Sequence, residues 1–562
     1  VGYTPITKSG SADPSTRQVT WTVEVGPRGQ SIPNPTVYDL IVYGQSIDLS
    51  GVNGIPAGIA SGDLTPRYGQ KYVEGSFVGS GLTVDPIAIT DGSGVQVADL
   101  LKITGFPQAG WSSFTFKTLV LDPNIFAGNK QQNASNTATL FSGTTKLNHA
   151  TATVPYTSTM LAKEMLKRGY VSDPAAGVND FTTTAADGFD YQDHSVIFRL
   201  AVNADGLDLT GLDESKMGAA HVTDILPAGW EFVDIVPGSK YLIFEGTKSG
   251  SSVSATGSSL DSVLGLSTSF VGNEASFHFT TLDKPYVILV KARPTDSKLA
   301  EYFGDNKTTT ERNNVSLYTA NWTPGVSTHQ DVSIKSTLVD KSRKLLEAGV
   351  VRWTIEYRPY DVTPDGARRL EDTLPVGVDL RTDSSGNLIL SGGNITAQEL
   401  VLQPDGTYAD GTVLDLINAD PGVSPSYDSQ TRVLTLSIPN PAKAYRFTYV
   451  TDITAESGTV ENTVTLWGET AVAGATSEPY QITEADGSAS LQKNGWIEIT
   501  KRVGSADGAL LAGVRFTVLA LDGETIIRTG FTGADGKLRL KVIPDGTYIL
   551  RETTPAGYSP EK

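Results

Sequence analysis

Short runs of β-branched and aromatic residues, each cut off by a cluster of Gly, Pro, Asn or Asp, recur along the whole chain and leave little room for helices. Val19 to Val25 (VTWTVEV), Ser195 to Val202 (SVIFRLAV), Val350 to Ile355 and Tyr445 to Val450 are clear examples. The punctuation is dense, with 57 Gly and 29 Pro. Only Thr159 to Arg168 and Ser297 to Phe303 read as helices, and both are short. The pattern predicts an all-β chain of sandwich-like units, and 562 residues at roughly 150 per domain make about four of them.

Composition removes several functions. Cysteine is absent, which excludes a thiol nucleophile, a disulfide framework, a thiolate metal site and thioester chemistry. The charge of −18, from 44 basic and 62 acidic residues, is spread along the chain and argues against nucleic acid and anionic membranes as partners. No run of about 18 apolar residues could cross a bilayer. Without a leader at Val1 or an anchor at Lys562, the chain reads as the mature part, or a piece, of something larger. His149, His194, His221, His278 and His329 are too scattered to predict zinc. Asn203, Asp205, Asp208 and Asp213, like Asp405 and Asp410, read as solvated turns, with calcium as the alternative. No nucleophile elbow, zinc-protease helix, P-loop or dinucleotide fingerprint occurs, so neither metal nor cofactor is expected.

Three blocks can be laid over one another. Each has an early lysine, a strand with an aromatic residue, an Asp among apolar residues and finally an Asn-bearing strand. The first block has Lys8, Trp21, Asp39 and Asn136; the third has Lys341, Trp353, Asp372 and Asn462. The spacing from Lys8 to Asp39 equals that from Lys341 to Asp372. The second block has Lys163, Phe198, Asp224 and Asn313, with about thirty extra residues between Lys163 and Asp224, placed within Tyr170 to Tyr191. STMLAK (Ser158 to Lys163) aligned with STLVDK (Ser336 to Lys341) sets its register, with Lys167 as a substitute amine. Breaks fall near residues 150, 334 and 490, giving domains 1–150, 151–334, 335–490 and 491–562.

A sandwich with Lys on its first strand, Asp in the middle and Asn on its last invites one reaction. Burial drives lysine toward its neutral, nucleophilic amine and drives the acid toward its protonated form. Such an acid can polarise an Asn carboxamide and pass a proton to departing ammonia, leaving a Lys–Asn isopeptide bond. Ordinary roles compete with this reading. Strand lysines usually face solvent, Asp before Leu-Pro usually forms a turn, and buried Asn usually satisfies strand-edge hydrogen bonds. The same order in three blocks weighs toward the reactive reading.

VRWTIE, EDTLPVG and ENTVTLW in the third block resemble the collagen-adhesin type of immunoglobulin-like domain of Gram-positive surface proteins. The second block keeps TDILPAG, and the first departs most, with YDLIVYG around Asp39. From Trp496, the segments WIEITKRV, GALLAGVRFTVL, TGADGKLRL and GTYILRETTPAGY are similar to the small prealbumin-like domain of Gram-positive pilins and adhesins, with an E-box-like segment at Glu552 to Tyr558. The resemblance implies an elongated row of tandem immunoglobulin-like sandwiches ending in a prealbumin-like one. It assigns cross-links Lys8–Asn136, Lys163–Asn313 and Lys341–Asn462, with Asp39, Asp224 and Asp372 as catalytic acids. In the last domain it assigns Lys501 as the amine and Glu552 as the acid, with the acceptor strand expected after Tyr558 and absent from this chain.

The expected function is a non-enzymatic adhesin or adhesive pilus tip subunit. It would sit outside a Gram-positive cell, anchored to the wall by sortase through a segment not present here. Its partner would be a host extracellular-matrix or cell-surface protein or glycan, contacted through the first two blocks. The Gly- and Ser-rich stretch Gly246 to Ser259 reads as an exposed loop. A sortase-polymerised pilus shaft is one alternative. A carbohydrate-active enzyme with β-sandwich accessories is another, although no signature pairs two carboxylates in one cleft.

Overall fold

Side chains alternate between core and solvent along most of the runs the sequence marks as strands, so each run has one buried face. In Gln18–Val25, for example, Val19, Trp21, Val23 and Val25 point inward. The computed structural model describes residues 4–26, 31–44, 55–59, 69–76, 81–122, 125, 131–168, 185–207, 219–249, 252–260, 262–320, 322–347, 349–383, 386–390, 392–417, 423–455, 458–482, 494–505, 507–544 and 546–553.

The first block contains β1 (Ile6–Asp13), β2 (Gln18–Val25), β3 (Pro35–Val42), β4 (Gln70–Ser76), β5 (Thr83–Thr90), β6 (Gln96–Thr104), β7 (Ser112–Val120), β8 (Gln132–Ser142) and β9 (Thr145–Tyr156). They form two antiparallel sheets, ordered β1-β2-β7-β4 and β5-β6-β3-β8-β9.

The second block contains β10 (Leu161–Met165), β11 (Val196–Val202), β12 (Ala220–Ile225), β13 (Trp230–Val233), β14 (Tyr241–Ser249), β15 (Ser252–Ala255), β16 (Leu266–Val271), β17 (Glu274–Phe279), β18 (Tyr286–Pro294), helix α1 (Asp296–Phe303), β19 (Lys307–Thr319) and β20 (Trp322–Ser336). Its sheets run β10-β11-β18-β14-β15, with β13 also on β18, and β16-β17-β12-β19-β20.

The third block contains β21 (Val339–Glu347), β22 (Val350–Tyr357), β23 (Arg369–Thr373), β24 (Val378–Leu380), β25 (Ile395–Leu402), β26 (Tyr408–Leu414), β27 (Ser426–Asp428), β28 (Val433–Ser437), β29 (Ala444–Ile453), β30 (Gly458–Val460), β31 (Thr463–Trp467), β32 (Ala471–Thr476) and β33 (Tyr480–Ile482). Its two main sheets are β21-β22-β29-β25-β26, with β24 on β29, and β27-β28-β23-β31-β32; β30 and β33 form a separate pair. One core joins both main sheets, with Trp353, Ile355, Phe447 and Tyr449 from one and Leu370, Leu434, Val464 and Leu466 from the other. The fold is all-β, as expected.

The last segment contains β34 (Asn494–Thr500), β35 (Arg515–Leu519), β36 (Ile526–Phe531), β37 (Lys537–Pro544) and β38 (Ile549–Thr553), in sheets β34-β37 and β36-β35-β38. Val514, Phe516, Val518, Leu538 and Leu540 form its core. By contacts the chain divides into two compact units. The first holds Val1–Phe189, Ser195–Thr295 and Thr310–Val332; the second holds Asp190–His194, Asp296–Thr309 and Ser333–Lys562.

Local expectations meet mixed outcomes. Ser297 to Phe303 is helical within α1, which buries Leu299, Tyr302 and Phe303. The helix expected over Thr159 to Arg168 is instead strand β10, paired to β11. Leu, Ala, Lys, Glu and Met favour helices, but here they alternate with period two, and pairing to a buried neighbour overrides propensity. Gly246 to Ser259 is not a plain exposed loop. Gly246 to Ser249 pairs with Ser252 to Ala255, and Val253 is buried. Most of the insertion assigned to Tyr170 to Tyr191 lies outside the described residues.

Candidate functional site

Strand register repeats at the three Lys–Asp–Asn sets. Lys8 lies opposite Val23, Lys163 opposite Leu200 and Lys341 opposite Ile355. Two residues before each partner stands the aromatic residue, Trp21, Phe198 or Trp353, on the same face as the lysine. In the second sheet Asp39 lies opposite Ala138, Asp224 opposite Val315 and Asp372 opposite Val464. Two residues before each of those stands the asparagine, Asn136, Asn313 or Asn462. Every asparagine is therefore a same-face diagonal neighbour of its aspartate. Lysine comes from an edge strand of one sheet and aspartate from the central strand of the other, and they meet across the core.

The Asn-bearing segment is not the last in its block, as the sequence reading had it. In the first two blocks one more strand follows (β9 or β20) and pairs with the Asn-bearing strand; in the third, β31 begins directly after Asn462 and is followed by its partner β32 and then by β33.

All three Lys–Asp pairs are ion-paired and their side chains are 0 % exposed. Lys163 Nζ lies 2.5 Å from Asp224 Oδ2, and the corresponding contacts are Lys8 with Asp39 and Lys341 with Asp372. Aromatic rings cover the amines. Lys8 Nζ is 4.7 Å from the Phe116 centroid and 5.4 Å from that of Trp21, Lys163 Nζ is 4.5 Å from Phe198, and Lys341 Nζ is 5.6 Å from Trp353. The two indole N–H groups at these sites each have an acceptor. Trp21 Nε1 donates to Thr118 Oγ1 at 2.9 Å and Trp353 Nε1 to Thr451 Oγ1 at 2.7 Å. Phe198 needs none.

Burial lowers the affinity of Lys8, Lys163 and Lys341 for a proton, with the facing carboxylates opposing it. Burial likewise pushes the Asp39 and Asp224 carboxyls upward, tempered by the lysines and by the Asn136 and Asn313 amides. Both shifts move a pair toward neutral amine and neutral acid. Asp39, Asp224 and Asp372 each keep a buried Oδ1 without a hydrogen-bond partner, as do Asn136, Asn313 and Asn462. An asparagine kept only to satisfy a strand edge would have its carbonyl engaged, and leaving it unpaired costs about 1–3 kcal/mol. Lys167 is exposed and is no substitute for Lys163.

The third site has a member that the sequence reading missed. The Tyr449 hydroxyl accepts from Lys341 Nζ at 3.0 Å and from Asn462 Nδ2 at 2.7 Å, and it donates to Asp372 Oδ2 at 2.5 Å. Tyr445 to Val450 reads simply as a core strand. What could have found Tyr449 is its position opposite Trp353, where the other blocks carry Phe116 and Val290.

In the last segment Lys501 Nζ lies 2.9 Å from Glu552 Oε2, but these side chains are 18 % and 28 % exposed and form a more open site. Residues after Thr553, including most of the E-box-like segment, lie outside the described residues. Among the described residues no group of three or more His, Asp or Glu is arranged to hold a metal ion. Asp205 is paired with Lys248 and Asp405 caps Thr407, while Asp208 and Asp213 are not described. Among the described residues no helix is long and apolar enough to cross a membrane.

Residues 495–562 match the SpaA prealbumin-like fold domain. No curated protein matches the chain. Among solved structures, the chain is similar to the C-terminal domain of the Streptococcus agalactiae AgI/II polypeptide BspA, at 11 % identity and TM-score 0.24, over 59 % of this chain and 100 % of that one. Collagen adhesin (CNA) from S. aureus matches at 11 % identity and TM-score 0.19, over 51 % and 89 %. The collagen-binding domain of the Erysipelothrix rhusiopathiae surface protein RspB matches at 12 % identity and TM-score 0.19, over 57 % and 94 %. Likenesses at this level carry no functional argument.

Proposed function

We propose that this chain is a non-enzymatic surface tether of a Gram-positive bacterium, an adhesin or adhesive pilus tip subunit, whose sandwiches lock themselves with Lys8–Asn136, Lys163–Asn313 and Lys341–Asn462 isopeptide bonds. One observation carries this reading: three fully buried Lys–Asp pairs recur with an asparagine at the same diagonal of the aspartate's sheet. The neutral amine Nζ attacks the Asn Cγ, the Cγ–Nδ2 bond breaks, and ammonia leaves. Asp39, Asp224 or Asp372 takes the proton that Nζ sheds and supplies the one that Nδ2 needs, so the acid ends as it began. The reaction happens once per molecule, needs no cofactor and leaves no turnover. Lys501 and Glu552 take the parts of amine and acid in the terminal domain.

Each bond encloses most of its domain, and we place the domain breaks near the expected residues 150, 334 and 490, the first two moved a few residues on so that β9 and β20 stay whole. A pull on the chain then runs through covalent bonds and bypasses the strand ladders, which suits a tether between cell and surface. We assign its partners to host extracellular-matrix or cell-surface proteins or glycans, and its attachment to sortase and the cell wall. Retention of the full chain on immobilised matrix proteins or a glycan array, lost when residues 1–334 are blocked by antibody, is the expected result. Absence of retention on both surfaces would remove the adhesive half of the proposal.

A further inference from the structure

Among the described residues, the third of the three sites is the only one with a hydroxyl hydrogen-bonded to its reacting groups. Tyr449 uses its whole hydrogen-bonding capacity there, with two acceptor positions filled by Lys341 Nζ and Asn462 Nδ2 and its one proton given to Asp372 Oδ2. The hydroxyl thus stands between the acid and the nitrogen that must leave. At the equivalent register positions the first site has the Phe116 ring and the second the Val290 side chain, neither of which can carry a proton.

We infer that Tyr449 is a proton relay for cross-link formation at the third site, carrying the acid's proton from Asp372 to the departing Asn462 nitrogen. The inference rests on the proposed isopeptide chemistry. As the Lys341 Nζ–Asn462 Cγ bond forms, Nζ gives one proton to Asp372 Oδ2. The attack leaves a basic lone pair on Nδ2, so the two hydrogen bonds of the hydroxyl reverse: Tyr449 turns its proton from Asp372 to Nδ2 and passes it on, and takes one from Asp372 in its place. The Cγ–Nδ2 bond then breaks, ammonia leaves, and Tyr449 and Asp372 return to their starting states. Burial holds the phenol well above its ordinary range, so it keeps a proton to pass on. In the first two sites the acid must reach the amide without such a bridge.

The test uses the full chain made by cell-free synthesis, with each cross-linked peptide quantified by mass spectrometry at intervals, in water and in deuterium oxide. The first and second bonds serve as internal clocks. In wild type the third bond is expected to show a larger solvent isotope effect than the other two. Tyr449→Phe keeps the ring that Phe116 shows to be tolerated. It should slow the third bond by at least about a hundredfold, the low side of what a positioned proton donor contributes, and bring its isotope effect down to theirs. Phe116→Tyr runs the test in reverse, raising the isotope effect at the first site, and it decides the matter if Tyr449→Phe does not fold. Wild-type bonds with unchanged kinetics and isotope effects in both variants would overturn the relay and leave the cross-linking intact. A wild-type chain that forms no bond would overturn the relay together with the cross-linking on which it rests.

Discussion

At Lys8 and Asp39, as at Lys163 and Asp224, burial acts on both partners, lowering the lysine's hold on its proton and raising the acid's. Counting protons gives the pH dependence. Neutral amine with neutral acid holds one proton per pair, the same number as the ion pair and as the separate groups of the unfolded chain near neutrality. Moving between these states therefore takes up no proton, and the rate of bond formation should be flat around neutral pH. In acid the pair gains a second proton and the amine becomes a cation; in alkali it loses its only proton and the acid can no longer serve the leaving nitrogen. The expected profile for the first two bonds is a broad bell whose limbs belong to the pair and not to either residue. Quantifying cross-linked peptide after folding at a series of pH values checks it. A rate that climbs steadily through alkaline pH would show that lysine acts without the acid. Lys, Asp and Asn were legible in the sequence because their order recurs in three blocks. Tyr449 was not, since its role depends on which residue lies across the sheet and nothing in KAYRFTYV marks that.

Between strands, register is what turns four separated residues into a site. A one-residue slip of β1 on β2 would turn Lys8 out of the core. Gly10 helps to fix that register: a Cβ there would meet Val154 Cγ2 at 2.7 Å and Trp21 Cε3 at 2.8 Å. Gly10→Val should therefore lift β1 from its seat and abolish the Lys8–Asn136 bond while the second and third form normally, as peptide mapping would report. A first bond formed in full in that variant would show that seating of β1 is not limiting. Strand identity was legible wherever alternation was strong. It failed over Thr159 to Arg168, where good helix formers alternate in polarity and neighbour pairing decides the outcome. The sequence pattern puts the asparagines on the last strand of each block, whereas further strands, β9, β20 and β32, follow them. In the structure those strands close the sheet beside the asparagines.

For the molecule as a whole, each bond would tie the first strand of a block to a segment near its end and enclose well over a hundred residues. By the loop-entropy estimate used for disulfides, such a link stabilises its domain by roughly 5 kcal/mol. Asn136→Ala, Asn313→Ala and Asn462→Ala each remove an acceptor while keeping the Lys–Asp pair. In calorimetry each should lower the melting transition of its own domain and leave the others in place. Transitions that do not move would mean the links are not what stabilises the sandwiches. A family model reaches only the terminal segment, so for residues before it the case rests on the recurrence of one site.

The most direct test is the intact mass of the purified chain, followed by mapping of the peptides that carry the lysines and asparagines. The expected result is a deficit of three ammonia masses, with Lys8, Lys163 and Lys341 joined to Asn136, Asn313 and Asn462. A mass equal to that of the plain sequence would contradict the self-linking tether and return the three sites to ordinary buried polar residues.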